Sequence, residues 1–251
     1  MKTIGIVGGV GPYAGVDLFQ KILEQTKAQT DQEHLPVLLF SLPNKIHDRT
    51  GYLLGYTSTN PGTFIAKVID NLYKSGAEIV AIPCNTAHAD PIFNEIIRRM
   101  PKQVKLLHLI EEVALSIQQN QPDLKNIGVL STTGTMINDL YPYYLAQRGL
   151  NAIQVSDELQ QNKIQPAIYN KSYGIKTNTP LKTKHEAKNN LIEGMNDLIE
   201  KGAEAIILGC TEIPLLLPES HFKNIPLIDP SQTLARALIL ASNPDSLASR
   251  D

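Results

Sequence analysis

The sequence predicts an α/β fold of two similar domains, each built on a parallel-sheet core. If the two face one another about a pseudo-two-fold axis, their strand ends look into one cleft. Three observations carry this fold class. Short β-rich runs alternate with longer stretches of helical spacing, the rhythm of a parallel sheet with helices on both faces. Near residue 125 the rhythm starts again: "NIGVLSTTGT" echoes "TIGIVGGVGP", and "EKGAEAIILGCTE" echoes "KSGAEIVAIPCNT". The only two cysteines, Cys84 and Cys210, fall at the same place in the second echo.

The elements follow in order. "TIGIVGG" reads as a buried strand. "GVDLFQKILEQTKAQT" has helical spacing at Val16, Phe19, Ile22 and Leu23. "LPVLLFSLP" is a second strand closed by a turn signal. "TFIAKVIDNLYKSG" places Phe64, Val68, Ile69 and Leu72 on one helix face, with Gly76 as its stop. "AEIVAIP" is a strand, "ADPIFNEIIRRM" a helix, and "VKLLHLI" resumes strand character. Aligning Gly5 with Gly128 also aligns Gly11 with Gly134. Aligning Gly76 with Gly202 sets Cys84 opposite Cys210 without a gap. The expected division is a first unit at 1–106, completed by 228–251, and a second at 107–227. The stretch "NKSYGIKTNTPLKTK" reads as an active-site or surface loop of the second unit.

With 251 residues, 42% of them hydrophobic, the chain can bury a real core. A net charge of −2 gives no bulk electrostatic case for nucleic acid or an acidic membrane surface. The opening "MKTIGIVGG" reads as a first strand and not as a secretory signal. No apolar run approaches the roughly 20 residues that span a bilayer. The expected setting is the cytoplasm, with reduced thiols.

Each thiol therefore needs its own explanation. Ligands of open parallel sheets sit beyond the carboxyl ends of the strands. Both cysteines are predicted there. If the two units face one another, their thiols approach one ligand from opposite sides. That suits racemisation, in which a proton leaves one face of a carbon and another arrives on the opposite face, with one sulfur as thiolate and the other as thiol. Asn85 and Thr86 are cap-type residues ahead of a helix, whose N-terminus would favour an anionic Cys84. Glu212, two residues after Cys210, either influences its proton or anchors a loop. A redox pair is the competing thiol chemistry, but no Cys-x-x-Cys motif is present. A metal site would need about four ligands in compact spacing, whereas the six histidines are scattered. No metal is expected. His88, Ser131, Thr132 and Thr133 lie near predicted strand ends and are candidates to line the cleft. The turn "GGVGP" lets backbone approach a ligand closely, but it lacks the Gly-Lys-Ser/Thr ending of a phosphate loop.

In this order, "IGIVGGVGP", "PCNTAH", "YGIK" and "GCTEIP" resemble the aspartate/glutamate racemase family, in its aspartate racemase branch. The resemblance runs from the first strand to beyond Cys210. It implies two α/β domains with the active site between them and racemisation of an acidic amino acid. It also implies no pyridoxal phosphate, no metal and no other cofactor, and commonly a homodimer. It makes Cys84 and Cys210 the acid/base thiols. It assigns Arg49 and Lys176 to substrate carboxylates, where fixed cations also stabilise the carbanion-like state. Asn85, Thr86 and Ala87 match a segment whose amides and hydroxyl hold a carboxylate. Val10 stands where many relatives have Met, so its contact with substrate is through side chain or backbone. Glutamate racemases usually open with an Asp-Ser-Gly turn, which this chain lacks. The competing functions are a glutamate racemase, a non-catalytic acidic amino-acid-binding or sensor protein using the same cleft, and a thiol redox protein.

Overall fold

The computed structural model describes residues 1–177, 180 and 184–249. Within the polar stretch 170–184, positions 178, 179 and 181–183 lie outside the described residues. The chain divides into two compact units, Met1–Glu112 with Ser231–Asp251, and Val113–Pro230.

The first unit holds a four-stranded parallel sheet of β1 (Ile4–Gly8), β2 (Val37–Ser41), β3 (Ile79–Ala81) and β4 (Lys105–Leu107), in the order β2-β1-β3-β4. Its helices are α1 (Pro12–Gln25), α2 (Arg49–Leu53), α3 (Gly62–Lys74) and α4 (Asp90–Arg99). The chain then enters α5 (Leu109–Asn120), inside which the division falls. The sequence boundary after residue 106 is therefore too early, because Leu107 still pairs with Ala81. Helix α1 starts at Pro12, ahead of the expected Gly15, since proline's fixed φ suits a first helical position. It ends at Gln25, where Thr26 donates its hydroxyl to the Ile22 carbonyl at 2.6 Å.

The second unit is built on β5 (Asn126–Ser131), β6 (Asn151–Gln154), β7 (Ala205–Gly209), β8 (His221–Phe222) and β9 (Ile225–Ile228), in the order β6-β5-β7-β9-β8. Among the described residues of this sheet, β8 runs antiparallel to β9 and the other pairs are parallel. Helices α6 (Thr133–Met136) and α7 (Leu140–Ala146) follow β5. A continuous run follows β6, composed of α8 (Asp157–Leu159), a π turn (Gln160–Ile164) and α9 (Gln165–Tyr169). Then come α10 (His185–Glu200) and the short α11 (Ile213–Leu216). The last helix, α12 (Pro230–Ser242), returns to the first unit, where Ser242 donates its hydroxyl to the Lys2 carbonyl at 2.5 Å. The returning segment begins after 230 and not at 228, because Ile228 pairs with Ile207 in the second sheet. Among the described residues no helix is long and apolar enough to cross a membrane.

Strands β1 to β4 and β5, β6, β7, β9 share one order, and the likeness reaches individual contacts. A Cβ on Gly5 would lie 3.0 Å from Ala77 and Val80 and 3.3 Å from Leu72. One on Gly128 would meet Ala203 at 3.0 Å, Leu198 at 3.1 Å and Ile206 at 3.2 Å, the same three partners in the repeat. The helix before the third strand stops alike in both units. Gly76 and Gly202 take φ of 99° and 90°, a left-handed turn that suits glycine. Glu78 accepts from the Thr3 amide, and Glu204 from the Asn126 amide.

Candidate active site

In the first unit, β3 leads through Ile82 and Pro83 to Cys84, which is buried and extended (φ −157°). A single 3-10 turn follows, Asn85–His88, and α4 begins only at Asp90 with Ala89 at its cap. The helix expected directly after Cys84 is thus this one turn. Asn85, Thr86 and Ala87 are all buried in it. The Ala87 amide donates to the Cys84 carbonyl at 3.2 Å.

His88 is 1% exposed and braces this turn from behind. Its Nε2 accepts from the Leu109 amide at 3.2 Å, which leaves the proton on Nδ1 to donate to the Cys84 carbonyl at 2.9 Å. Burial lowers its pKa to about 4, so the ring is neutral. Phe93 stacks on it and His108 meets it edge-on. A side chain so enclosed is a support for the Cys84 backbone, not a lining group.

Arg49 opens α2, whose N-cap Asp48 accepts from the Gly51 amide at 2.6 Å. Its buried guanidinium donates to the Val10 carbonyl and, at 3.3 Å, to the His47 carbonyl. Val10 meets Arg49 through its backbone, while its side chain packs in the same apolar cluster as Ile46, Cys84 and Ala87. Helix α2 packs against the Asn85–His88 turn, so Val10, Arg49 and the Cys84 segment form one neighbourhood. The close approach permitted by "GGVGP" is to the chain itself. A Cβ on Gly9 would lie 2.8 Å from Leu42 and Pro43 backbone atoms.

In the second unit, Cys210 follows β7 directly and is buried. Its Sγ donates to Glu212 Oε2 at 3.1 Å. The other carboxylate oxygen takes Lys176 Nζ at 2.5 Å, and the Thr211 hydroxyl reaches Oε2 at 3.3 Å. The Lys176 ammonium also lies 5.5 Å from the centre of the Tyr169 ring. Burial first, then the negative Glu212, push the Cys210 thiol well above its ordinary pKa, and Lys176 partly offsets them. The resting sulfur is therefore protonated. Glu212 fills both roles open to it, since it takes this proton's hydrogen bond and pairs with Lys176 of the adjoining loop.

Ser131 ends β5 opposite Gly209, and Thr132 caps α6 by accepting from the Thr135 amide at 3.3 Å. The Thr133 amide donates to Gln165 at 2.9 Å. One neighbour of Cys210 escaped the sequence reading. The Tyr141 ring lies 3.0 Å from where a Cβ on Gly209 would be, and burial, Asp229 and Cys210 raise its phenol pKa. "YPYY" carries no signal that picks one tyrosine from its neighbours.

Two parallel-sheet units of one strand order, each with a buried thiol just past its third strand and a cation in the same unit, buried Arg49 in one and half-buried Lys176 in the other, define a duplicated α/β thiol protein. The Asp/Glu/hydantoin racemase family model matches residues 7–238. An aspartate racemase from Picrophilus torridus superposes with a TM-score of 0.79 at 27% identity, covering 96% of this chain and 94% of that one. A broad-specificity amino-acid racemase of Bacillus subtilis is 27% identical over 94% of this chain and 96% of its own length. A glutamate racemase of Bacillus anthracis, at 17% identity, shares the fold with a TM-score of 0.67 over 99% of this chain and 85% of that one. The chain belongs to the Asp/Glu/hydantoin racemase family, which places it among the amino-acid racemases.

Proposed function

We propose that this protein interconverts L- and D-aspartate, with glutamate as a second substrate, without cofactor and by a two-base reaction between Cys84 and Cys210. One thiolate takes the Cα proton, forming S–H as the C–H bond breaks. The electron pair moves into the α-carboxylate. The opposite thiol then delivers its proton to the other face of the carbon, and the two sulfurs end with exchanged protonation states.

The observation that carries the reading is the repeat itself. Two units with matched contacts each present a buried cysteine within three residues of the end of the third strand. Its supports are local. Cys210 is held as a thiol by its bond to Glu212, as an acid awaiting a carbanion must be. Arg49 and Lys176 are the cations proposed for the substrate's carboxylates, with the Asn85, Thr86 and Ala87 turn contributing amides and a hydroxyl. The acidic preference follows from that cation pair and from the similarity to the Picrophilus enzyme. The reaction is proposed to take place in the cytoplasm, in a homodimer.

Broad specificity is the second reading, favoured by the similarity to the Bacillus subtilis enzyme. Incubating the protein in D2O with L-aspartate, L-glutamate or L-alanine, and no added cofactor, separates the readings. Deuterium at Cα of aspartate, less in glutamate and little in alanine is expected. Equal uptake in all three favours broad specificity. Tight aspartate binding without exchange would make the protein a sensor. Cys84→Ala and Cys210→Ala should each abolish racemisation, by at least about a thousandfold, with an unchanged circular-dichroism spectrum.

A further inference from the structure

Lys184 is a buried cation that the reaction above leaves unused. It is 1% exposed, an unusual position for a lysine. A buried ammonium is costly unless its protons are all engaged. Here Nζ donates to the carbonyls of Gly174 at 2.8 Å, Ile175 at 2.9 Å and Thr177 at 2.8 Å, and to the Thr177 hydroxyl at 3.0 Å. Those acceptors bracket Lys176 on both sides in sequence. The same segment is tied from below, because the amides of Ile175 and Lys176 donate to the carbonyls of Ala167 and Ile168 at 2.9 and 3.2 Å. A Cβ on Gly174 would come within 2.5 Å of the Asn170 carbonyl, so the turn is closed too tightly for any other residue.

We propose that Lys184 is a positioning residue: its buried ammonium clamps the Gly174–Thr177 turn so that Lys176 reaches Glu212, and through Glu212 the Cys210 thiol. The proposal rests on the racemase reading for its catalytic meaning, but not for its geometry. Among the described residues, Glu212, Lys176 and Tyr141 are titratable groups that act on Cys210. Lys176 is the one of them carried by the clamped turn. A lysine that only filled space would be replaceable by methionine of similar length.

The test is amine labelling of the full chain, followed peptide by peptide by mass spectrometry. Limiting formaldehyde and cyanoborohydride methylate lysines at rates set by exposure and pairing. In the parent, Lys176 should react slowly and Lys74, whose side chain is 69% exposed, quickly. Lys184→Met should speed Lys176 methylation at least about fivefold and leave Lys74 unchanged. Thr177→Val, which removes the hydroxyl that accepts from Lys184 and donates to the Gly174 carbonyl at 2.8 Å but keeps the three carbonyl acceptors, should move Lys176 in the same direction by less, and it serves where Lys184→Met does not fold. An unchanged Lys176 rate in either folded variant overturns the clamp. This readout needs no substrate, so it stands or falls separately from racemisation. With aspartate as substrate, Lys184→Met should raise KM and lower kcat in the same pattern as Lys176→Met. The double variant should match Lys176→Met alone within about twofold. Multiplying losses in the double variant would mean that Lys184 acts by another route.

Discussion

The two repeats share a backbone and differ in chemistry. Ala77, Val80 and Leu72 around Gly5 have their counterparts around Gly128. The Ala87 and Ile213 amides both donate to the carbonyl of the preceding cysteine, at 3.2 and 2.8 Å. Yet two residues past the thiol one unit has Thr86 and the other Glu212, and only the second thiol donates to a carboxylate. Behind Cys84 stands a buried neutral histidine, and beside Cys210 a carboxylate paired with a lysine. Packing contacts were kept across the duplication, while the groups that govern protons diverged. A reaction that runs in both directions through two unlike thiols would titrate unlike groups in each direction.

After the thiols themselves, the largest effect should come from erasing that asymmetry at Glu212. Glu212→Gln removes the negative charge that helps hold the Cys210 proton, so the thiol pKa falls. The loss in kcat should be on the order of 100-fold, in the range of general acid–base contributions. The pH-rate limb belonging to Cys210 should move to lower pH. Thr86→Glu is the mirror experiment, and should move the limb belonging to Cys84 to higher pH. If neither limb moves, the residue two past the thiol does not set the difference.

The histidine brace predicts acid sensitivity localised to the first unit. The folded pKa of His88, about 4, lies below the ordinary 6.5, so the unfolded chain binds the proton first as pH falls. Stability is then full above 6.5, erodes as pH falls from there toward about 4, and levels off below. The loss is on the order of 3 kcal/mol. Burial and the neighbouring His88 depress His108 as well, which adds in the same sense. Urea midpoints measured from pH 7.5 to 4.5 should slope accordingly, and His88→Gln should flatten the curve. A flat curve in the parent would remove the brace.

Arg49→Ala should raise KM for aspartate by roughly tenfold or more and narrow the preference for aspartate over alanine, as loss of a charged fork does. Preference ratios that stay put would take the carboxylate away from Arg49. Gly5→Ala and Gly128→Ala should each cost about 1–3 kcal/mol by overpacking. The two penalties should agree within about 1 kcal/mol, since the same three side chains must give way. Thermal melts of both variants measure this directly, and a large mismatch would show that the repeat is not equivalent in packing.

What the sequence made legible follows the same divide. Gly76 and Gly202, Gly5 and Gly128, and the two cysteines align because the helix–turn–strand joint that uses them tolerates few substitutes. Strands β6 and β9, "NAIQ" and "IPLI", were missed, since four half-exposed residues carry too little periodicity. The division falls after Glu112 and not after 106, and the run "VKLLHLI" that spans the expected boundary reads as one strand. In fact only Lys105–Leu107 is strand, and Leu109 already opens a helix. Lys184 was hidden by its own type. A lysine in a polar loop reads as solvated, and only the carbonyls folded around it show otherwise. His88 looked like a lining residue from its motif, and the Leu109 amide that fixes its tautomer comes from 21 residues away.

The two-thiol reaction is tested most directly by following L-aspartate in D2O through the first few per cent of conversion, with mass spectrometry of the separated enantiomers. Newly formed D-aspartate should carry solvent deuterium at Cα while the recovered L-aspartate still carries protium. D-aspartate that retains the substrate's own proton would mean that a single group serves both faces.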